Sequence, residues 1–174
     1  MLEFKINEST PWAWAWAEHI NVPQIVELAQ SNFQQEMDHI FHIDPDYYAW
    51  QVDRAVTNQS HNLAAEQILI AVDKFNGQLL CYAWIGRGSH IPFSQDEVAE
   101  AKMLHLDLTL GVRQRMVLCA QAISHWQTWA EACNIPVLIS SSIRGEQRGF
   151  MRLHEKMGFT VRGSIAYKRL KDLK

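Results

Sequence analysis

Three stretches of this sequence carry side chains that could move protons or hold a ligand. In FMRLHEKMGFTVRG, His154 falls on the same helical face as Phe150 and Met157, so an ionisable ring interrupts an apolar stripe. Such a ring is either a core residue with a hydrogen-bond partner or a group placed to move protons near neutral pH. In KMLHLDLTL, alternation puts Leu104, Leu106, Leu108 and Leu110 on one face of a strand and His105, Asp107 and Thr109 on the other. That polar face either supplies a general base or simply meets solvent or a covering helix. In DHIFHIDPD, Asp38, His39, His42 and Asp44 gather metal-ligand types, with the two histidines one helical turn apart. No further ligand cluster accompanies them, so a capped helix end is the simpler account and no metal is expected. The serines of SSSIRGEQRGF lack the G-x-S-x-G frame of a nucleophile elbow, which argues against nucleophilic chemistry there.

The rest of the chain bounds what these residues can belong to. At 174 residues with 48% hydrophobic and 20% charged side chains, the chain suits one well-buried domain spanning 1–174. A formal net charge of -3 excludes the electrostatic footprint of a nucleic-acid binder. Basic residues nevertheless gather late, at Arg113, Arg115, Arg144, Arg148, Arg152, Lys156 and Arg162, and leave room for a local anionic ligand. The three cysteines have no metal spacing and read as reduced thiols. The start, MLEFKINEST, carries acids where a signal peptide wants bases. The longest apolar run, LLCYAWI, is far short of the ~20 residues of a membrane helix. A soluble, cytoplasmic protein with no membrane partner is expected.

Positioning elements follow from periodicity. LEFKINES alternates as a first strand, and the tryptophans at 12, 14 and 16 suit either a strand by period or a helix by their alanine spacers. A helix is expected from Val22 to about His39, with Ile25, Leu28, Ala29 and Phe33 on one face. A second follows a cap at Asp44 or Asp46, with Tyr47, Trp50 and Ala55 inward. Two β-rich runs flank Asn76-Gly77 as a hairpin. Next come the strand KMLHLDLTL, a helix from Arg113 to about Cys133, and a buried-type strand IPVLISSS. A helix from Glu146 to Met157, stopped by Gly158, leads into a final strand FTVRGSIAYKRL. The order is β-α-α-β-β-β-α-β-α-β.

That order, with RLHEKMGF late in the chain, resembles the GNAT superfamily of acyl-CoA N-acyltransferases. RLHEKMGF is similar to the family's L-Y-E-K-L-G-F at Leu153, Glu155, Lys156, Gly158 and Phe159, and NIPVLISSS is similar to its fifth strand. Short GNAT-like chains encoded by bacteriophages are similar in their C-terminal halves. LGVRQRMVLCA is similar to the family's phosphate loop, R/Q-x-x-G-x-G/A, with Arg115 first and Ala120 last, but Leu118 stands where the middle glycine belongs.

The resemblance implies an α/β GNAT-like fold, with a mixed, mostly antiparallel sheet flanked by helices and splayed between its fourth and fifth strands. It implies acetyl transfer from acetyl-CoA to an amine-bearing small molecule or protein, by direct attack in a ternary complex. His154 takes the place of the tyrosine that protonates the departing thiolate, and Tyr167 is a second candidate acid. His105 or Asp107 would be the base. Leu108 and Leu110 would pair with the pantetheine arm through their backbones. Val112, Arg113, Arg115, Met116, Leu118, Ala120 and Gln147 would line the cofactor, with helix-start N–H groups taking its phosphates. Acids such as Glu36 and Asp46 would receive a cationic amine. A GNAT fold kept as a binding or structural module would show the same glycine and tyrosine exchanges. A homodimer is also implied, because tryptophans at 12, 14, 16, 126 and 129 exceed what one core usually uses.

Overall fold

The computed structural model of the chain describes residues 10–36, 41–88, 92–142 and 147–162. The expected strand LEFKINES lies outside them, as do Asp38, His39 and Tyr167. The tryptophan repeat forms a strand, β1 (Trp12–Trp16), because tertiary partners override alanine's helical preference. The indole N–H groups of Trp12 and Trp14 both donate to Gln121 Oε1, at 2.8 and 3.0 Å. Trp12, Trp126 and Trp129 are buried, while Trp14 and Trp16 are partly buried.

Helix α1 (Val22–Glu36) buries Ile25, Ala29 and Phe33 as its periodicity requires. Helix α2 (Pro45–His61) starts where Asp44 accepts the N–H groups of Asp46 and Tyr47. Its inward face is not the expected one: Val52, Ala55, Val56 and Gln59 are buried, whereas Tyr47 and Trp50 are more than half exposed. The amide of Gln59 explains the shift. It donates to Ala17 C=O and accepts from Ile68 N–H, fixing the rotation of α2 over the sheet.

Strands β2 (Glu66–Asp73) and β3 (Leu79–Arg87) form the hairpin around Asn76-Gly77. Asp73 accepts the N–H groups of Phe75, Asn76 and Gly77, and Gly77 takes φ +73. The chain then runs through β4 (Val98–Leu106), α3 (Val112–Ala132), β5 (Val137–Ser140) and α4 (Arg148–Lys156). Gly158, at φ +88, ends α4 in the left-handed region, where an L side chain is strained. The final strand does not form over Phe159–Arg162, and its remainder lies outside the described residues.

The described strands order as β1-β2-β3-β4-β5, antiparallel except for the parallel β4–β5 pair. Helices α1 and α2 cover one face over Ile68, Ile70 and Tyr82. Helices α3 and α4 cover the other over Ala83, Ile85, Leu104 and Leu106. Strand β5 is half-buried, with Ile139 exposed, rather than the fully buried strand its composition suggests. No described helix is long and apolar enough to cross a membrane.

His125, on α3, lies edge-on to Trp14 at 5.0 Å, and burial pushes its pKa down to about 4. A folded pKa below the unfolded value of about 6.5 means that the unfolded chain takes up the proton first. The stability is therefore present above about pH 6.5 and is lost as pH falls towards 4. Melting temperature should drop between pH 7 and pH 5, and His125→Phe should reduce that drop. An unchanged slope in the variant would assign the acid sensitivity elsewhere.

Candidate active site at the β4–β5 gap

Strand β4 is held by β3 along its length, but β5 pairs with it only from Val98–Val137 to Ala101–Ser140. The β3–β4 register runs Ile85–Ala101 and then Trp84–Met103, which leaves Lys102 as a bulge residue. A bulge bends its strand and sharpens the local twist. The bend therefore falls where β4 parts from β5, and Lys102–Leu106 continue without a strand on that side among the described residues. Asp107 N–H donates to Leu80 C=O at 2.8 Å, so Asp107 directs its backbone groups at β3. By alternation His105 does the same, and Leu104 and Leu106 turn their N–H and C=O groups into the gap. Asn32 Nδ2 occupies the Leu106 carbonyl at 2.9 Å.

The strand stops at Leu106, short of the expected Leu110. Asp107 is the reason: it is buried, and its Oδ1 accepts Thr109 N–H and Thr109 Oγ1–H at 2.9 and 2.7 Å. Its Oδ2 accepts Gln78 Nε2–H at 2.9 Å, so this carboxylate builds a turn. Leu108 and Leu110 lie in that turn, with Leu110 N–H donating to Asp107 C=O at 3.2 Å.

Helix α3 begins at Val112, with Gly111 as its extended cap and Arg115 N–H donating to Gly111 C=O at 3.0 Å. The N–H groups of Val112, Arg113 and Gln114 thus have no intrahelical acceptor, and the helix dipole adds positive potential there. Arg115 Nε is shielded from solvent without a hydrogen-bond partner, one turn in from this end. Leu118 and Ala120, expected on a phosphate loop, stand inside the helix instead, and Leu118 is fully buried. The helix starts about two turns before Ala120, so a glycine at 118 has no loop to serve. Met116 is partly exposed, and Gln147 precedes α4 as its exposed cap.

His154 is 2% exposed, and both of its ring nitrogens are engaged. Nδ1 lies 2.9 Å from Phe150 C=O and Nε2 lies 2.9 Å from Ser140 Oγ. Burial lowers its pKa, against an opposing effect of the Phe150 carbonyl, so the imidazole is neutral. A carbonyl only accepts, so Nδ1 carries the proton and Nε2 accepts the Ser140 hydroxyl. The rings of Phe150 and Phe159 pack against it at 4.3 and 4.9 Å.

On the opposite face, His105 Nδ1 and Tyr82 OH are 2.5 Å apart, and Tyr82 OH and Tyr48 OH are 2.6 Å apart. Phe33 meets the His105 ring edge-on at 4.9 Å. Burial raises the Tyr48 pKa well above that of an ordinary phenol, so Tyr48 stays protonated. Tyr82, Tyr48 and Asn32 carry no signal in the sequence; only strand register and the crossing of α1 bring them here. Ser140 opens SSSIRGEQRGF, where the missing G-x-S-x-G frame argues against a nucleophile, yet the fold sets its hydroxyl 2.9 Å from His154 Nε2. Asp46 sits in the exposed first turn of α2, while the side chain of Glu36 lies outside the described residues.

No protein-family model and no curated protein sequence matches the chain. Solved structures do. The aminoglycoside antibiotic 6'-N-acetyltransferase AAC(6')-Ih from Acinetobacter baumannii superposes with TM-score 0.66 at 12% identity, over 94% of this chain and 99% of that one. Glucosamine-6-phosphate N-acetyltransferase from Arabidopsis thaliana gives TM-score 0.67 at 9% identity, over 93% and 100%. The aminoglycoside N-acetyltransferase AAC(6')-Iy, in complex with CoA, gives TM-score 0.67 at 13% identity, over 96% and 99%. The chain has the GNAT acyltransferase fold: a mixed, mostly antiparallel sheet between helices.

Proposed function

We propose that this protein transfers an acetyl group from acetyl-CoA to the nitrogen of an amine acceptor, by direct attack within a ternary complex. The observation that carries the reading is the gap itself, where an unpaired stretch of β4 leads through a turn to the open start of α3. An extended amide-bearing arm fits the Leu104 groups and the Leu106 N–H as an added strand would, while Asn32 already holds the Leu106 carbonyl. Leu108 and Leu110, expected from the resemblance to pair with the arm, lie in the Asp107 turn, and the extended Leu104 and Leu106 suit that pairing better. The free N–H groups of Val112, Arg113 and Gln114 suit a pyrophosphate, with Arg113 and the partnerless Arg115 Nε supplying charge. The AAC(6')-Iy structure, solved with CoA, supports the choice of cofactor.

An incoming amine is protonated in water and must lose a proton before it attacks. Of the two candidate bases, Asp107 is committed to its turn, so His105 takes the role. Tyr82 and Tyr48 form a hydrogen-bonded relay behind it, each phenol accepting one proton as it releases another. His154 holds its one ring proton against Phe150, which leaves none at Nε2 to give a thiolate. Tyr167, the other candidate acid, lies outside the described residues. The choice of an amine acceptor is supported by the structural neighbours, named as an aminoglycoside 6'-N-acetyltransferase and a glucosamine-6-phosphate N-acetyltransferase.

The engaged, neutral His154 also favours a second reading, a GNAT-fold module that binds acyl-CoA without turnover. Calorimetry with acetyl-CoA followed by an amine panel separates the two. Binding with transfer supports the enzyme, and binding without transfer supports the module. No binding at millimolar cofactor sinks both.

A further inference from the structure

The gap has a second hydrogen-bonded pair that the amine reaction does not use. Ser140 is the last residue of β5 to pair with β4, so its hydroxyl stands at the closed end of the gap. It lies on the α3–α4 face, across the sheet from His105, because Leu138, two residues earlier, packs with the α3–α4 core. Its Oγ is 2.9 Å from His154 Nε2, while Phe150 C=O fixes the tautomer from the other ring nitrogen. That is the arrangement of an activated nucleophile: a hydroxyl, an imidazole with its lone pair aimed at it, and a third group that orients the imidazole. A plain core histidine needs partners but no particular tautomer, and here the tautomer places the lone pair on a hydroxyl that is only half-buried.

We propose that Ser140 and His154 form a nucleophile–base pair that hydrolyses an acyl-CoA thioester through an acyl-Ser140 ester. The proposal rests on the reading that the thioester lies in the gap. Ser140 Oγ bonds to the thioester carbonyl carbon as its proton passes to His154 Nε2. The C–S bond then breaks, and the thiolate takes that proton. Water attacks the ester carbon and gives a proton to Nε2. The C–Oγ bond breaks, and Oγ recovers the proton. The products are a carboxylic acid and the free thiol, with only water consumed. The neutral state of His154, unhelpful for an acid, is what a base requires.

The test is incubation of the full chain with acetyl-CoA and no amine, with thiol release followed over time and the protein mapped by peptide mass. The expected result is an acetyl increment on the peptide holding Ser140. Ser140→Ala should lose it and slow acceptor-free thiol release by ~10²-fold or more, with acetyl-CoA affinity kept. His154→Gln should slow release comparably at unchanged affinity. Thiol release at the wild-type rate in folded Ser140→Ala overturns the proposal and leaves amine transfer standing. Failure of the wild-type chain to bind acetyl-CoA overturns the amine reading and this one together, and calorimetry on the same sample tells the two failures apart.

Discussion

His105→Gln should lower the maximal rate of amine acetylation ~10²–10⁴-fold, the range that a positioned base contributes, while acetyl-CoA affinity stays near that of the parent. The separation follows from where the residue sits. Its backbone faces β3, and its ring packs between Phe33 and Tyr82 on the α1–α2 side, away from the backbone groups that Leu104 and Leu106 turn to the gap. A proton acceptor acts in the transition state, so its loss appears in kcat rather than in ground-state binding. Tyr82→Phe keeps the ring and removes the relay. It should cost less rate than His105→Gln and should shift the pH profile, which a merely structural hydroxyl would leave in place. Steady-state rates across pH, with thermal melts of each variant, check both statements. Full activity in His105→Gln would place the base elsewhere.

Glu66→Ala should destabilise the fold by ~1–3 kcal/mol, the cost of leaving the Trp84 and Asn58 donors without their acceptor, since Lys102 is partly exposed and can reach water. Glu66 is 5% exposed and fully engaged. Asn58 Nδ2 donates to its Oε1 at 2.6 Å, and Trp84 Nε1 and Lys102 Nζ each donate to its Oε2 at 3.1 Å. Burial alone would raise its pKa, but the bonds from Asn58, Lys102 and Trp84 outweigh that and hold the carboxyl below its ordinary value. A depressed folded pKa gives stability that is present above the unfolded value and lost as pH falls below it. Lys102 is the bulge residue, and it folds over Gly86, where an added Cβ would lie 2.9 Å from its Cε and Nζ. Glu66 therefore anchors the bend that parts β4 from β5. Denaturant unfolding at neutral pH measures the loss. A change under ~1 kcal/mol would show that the Trp84 and Asn58 donors find other partners without Glu66.

Element order, hairpin, capping aspartate and terminal glycine were legible in the sequence because each has a local cause. Asp44 caps its own helix, Gly77 and Gly158 supply left-handed backbone, and α1 buries the face its spacing names. Misreadings arose where a distant partner decides. Gln59, bonded to Ala17 and Ile68, turns Tyr47 and Trp50 outward against the apolar count. Asp107 matches the polar side of an alternating run, yet its carboxylate ends the strand. Leu118 was aligned to a loop because the start of a helix depends on Gly111 and the turn before it. The site shares this limit. His105 and His154 are visible as odd residues on their stripes, but Tyr82 meets one only through β3–β4 register, and Ser140 meets the other only through the α4 crossing.

The shortness of β5 has a consequence for dynamics. Its four pairs with β4 are parallel and close only after the whole of α3 has been threaded across the sheet. Pairings of such sequence separation carry a large loop-closure penalty and form late in folding. Short and half-buried among the described strands, β5 is expected to open locally at lower cost than the largely buried β2 and β3. Opening of the gap is therefore expected at its β5 wall, which the His154–Ser140 hydrogen bond helps to hold, before the hairpin-braced β4 gives way. A molecule entering between the strands would then meet one wall braced by β3 and one held by only four strand pairs.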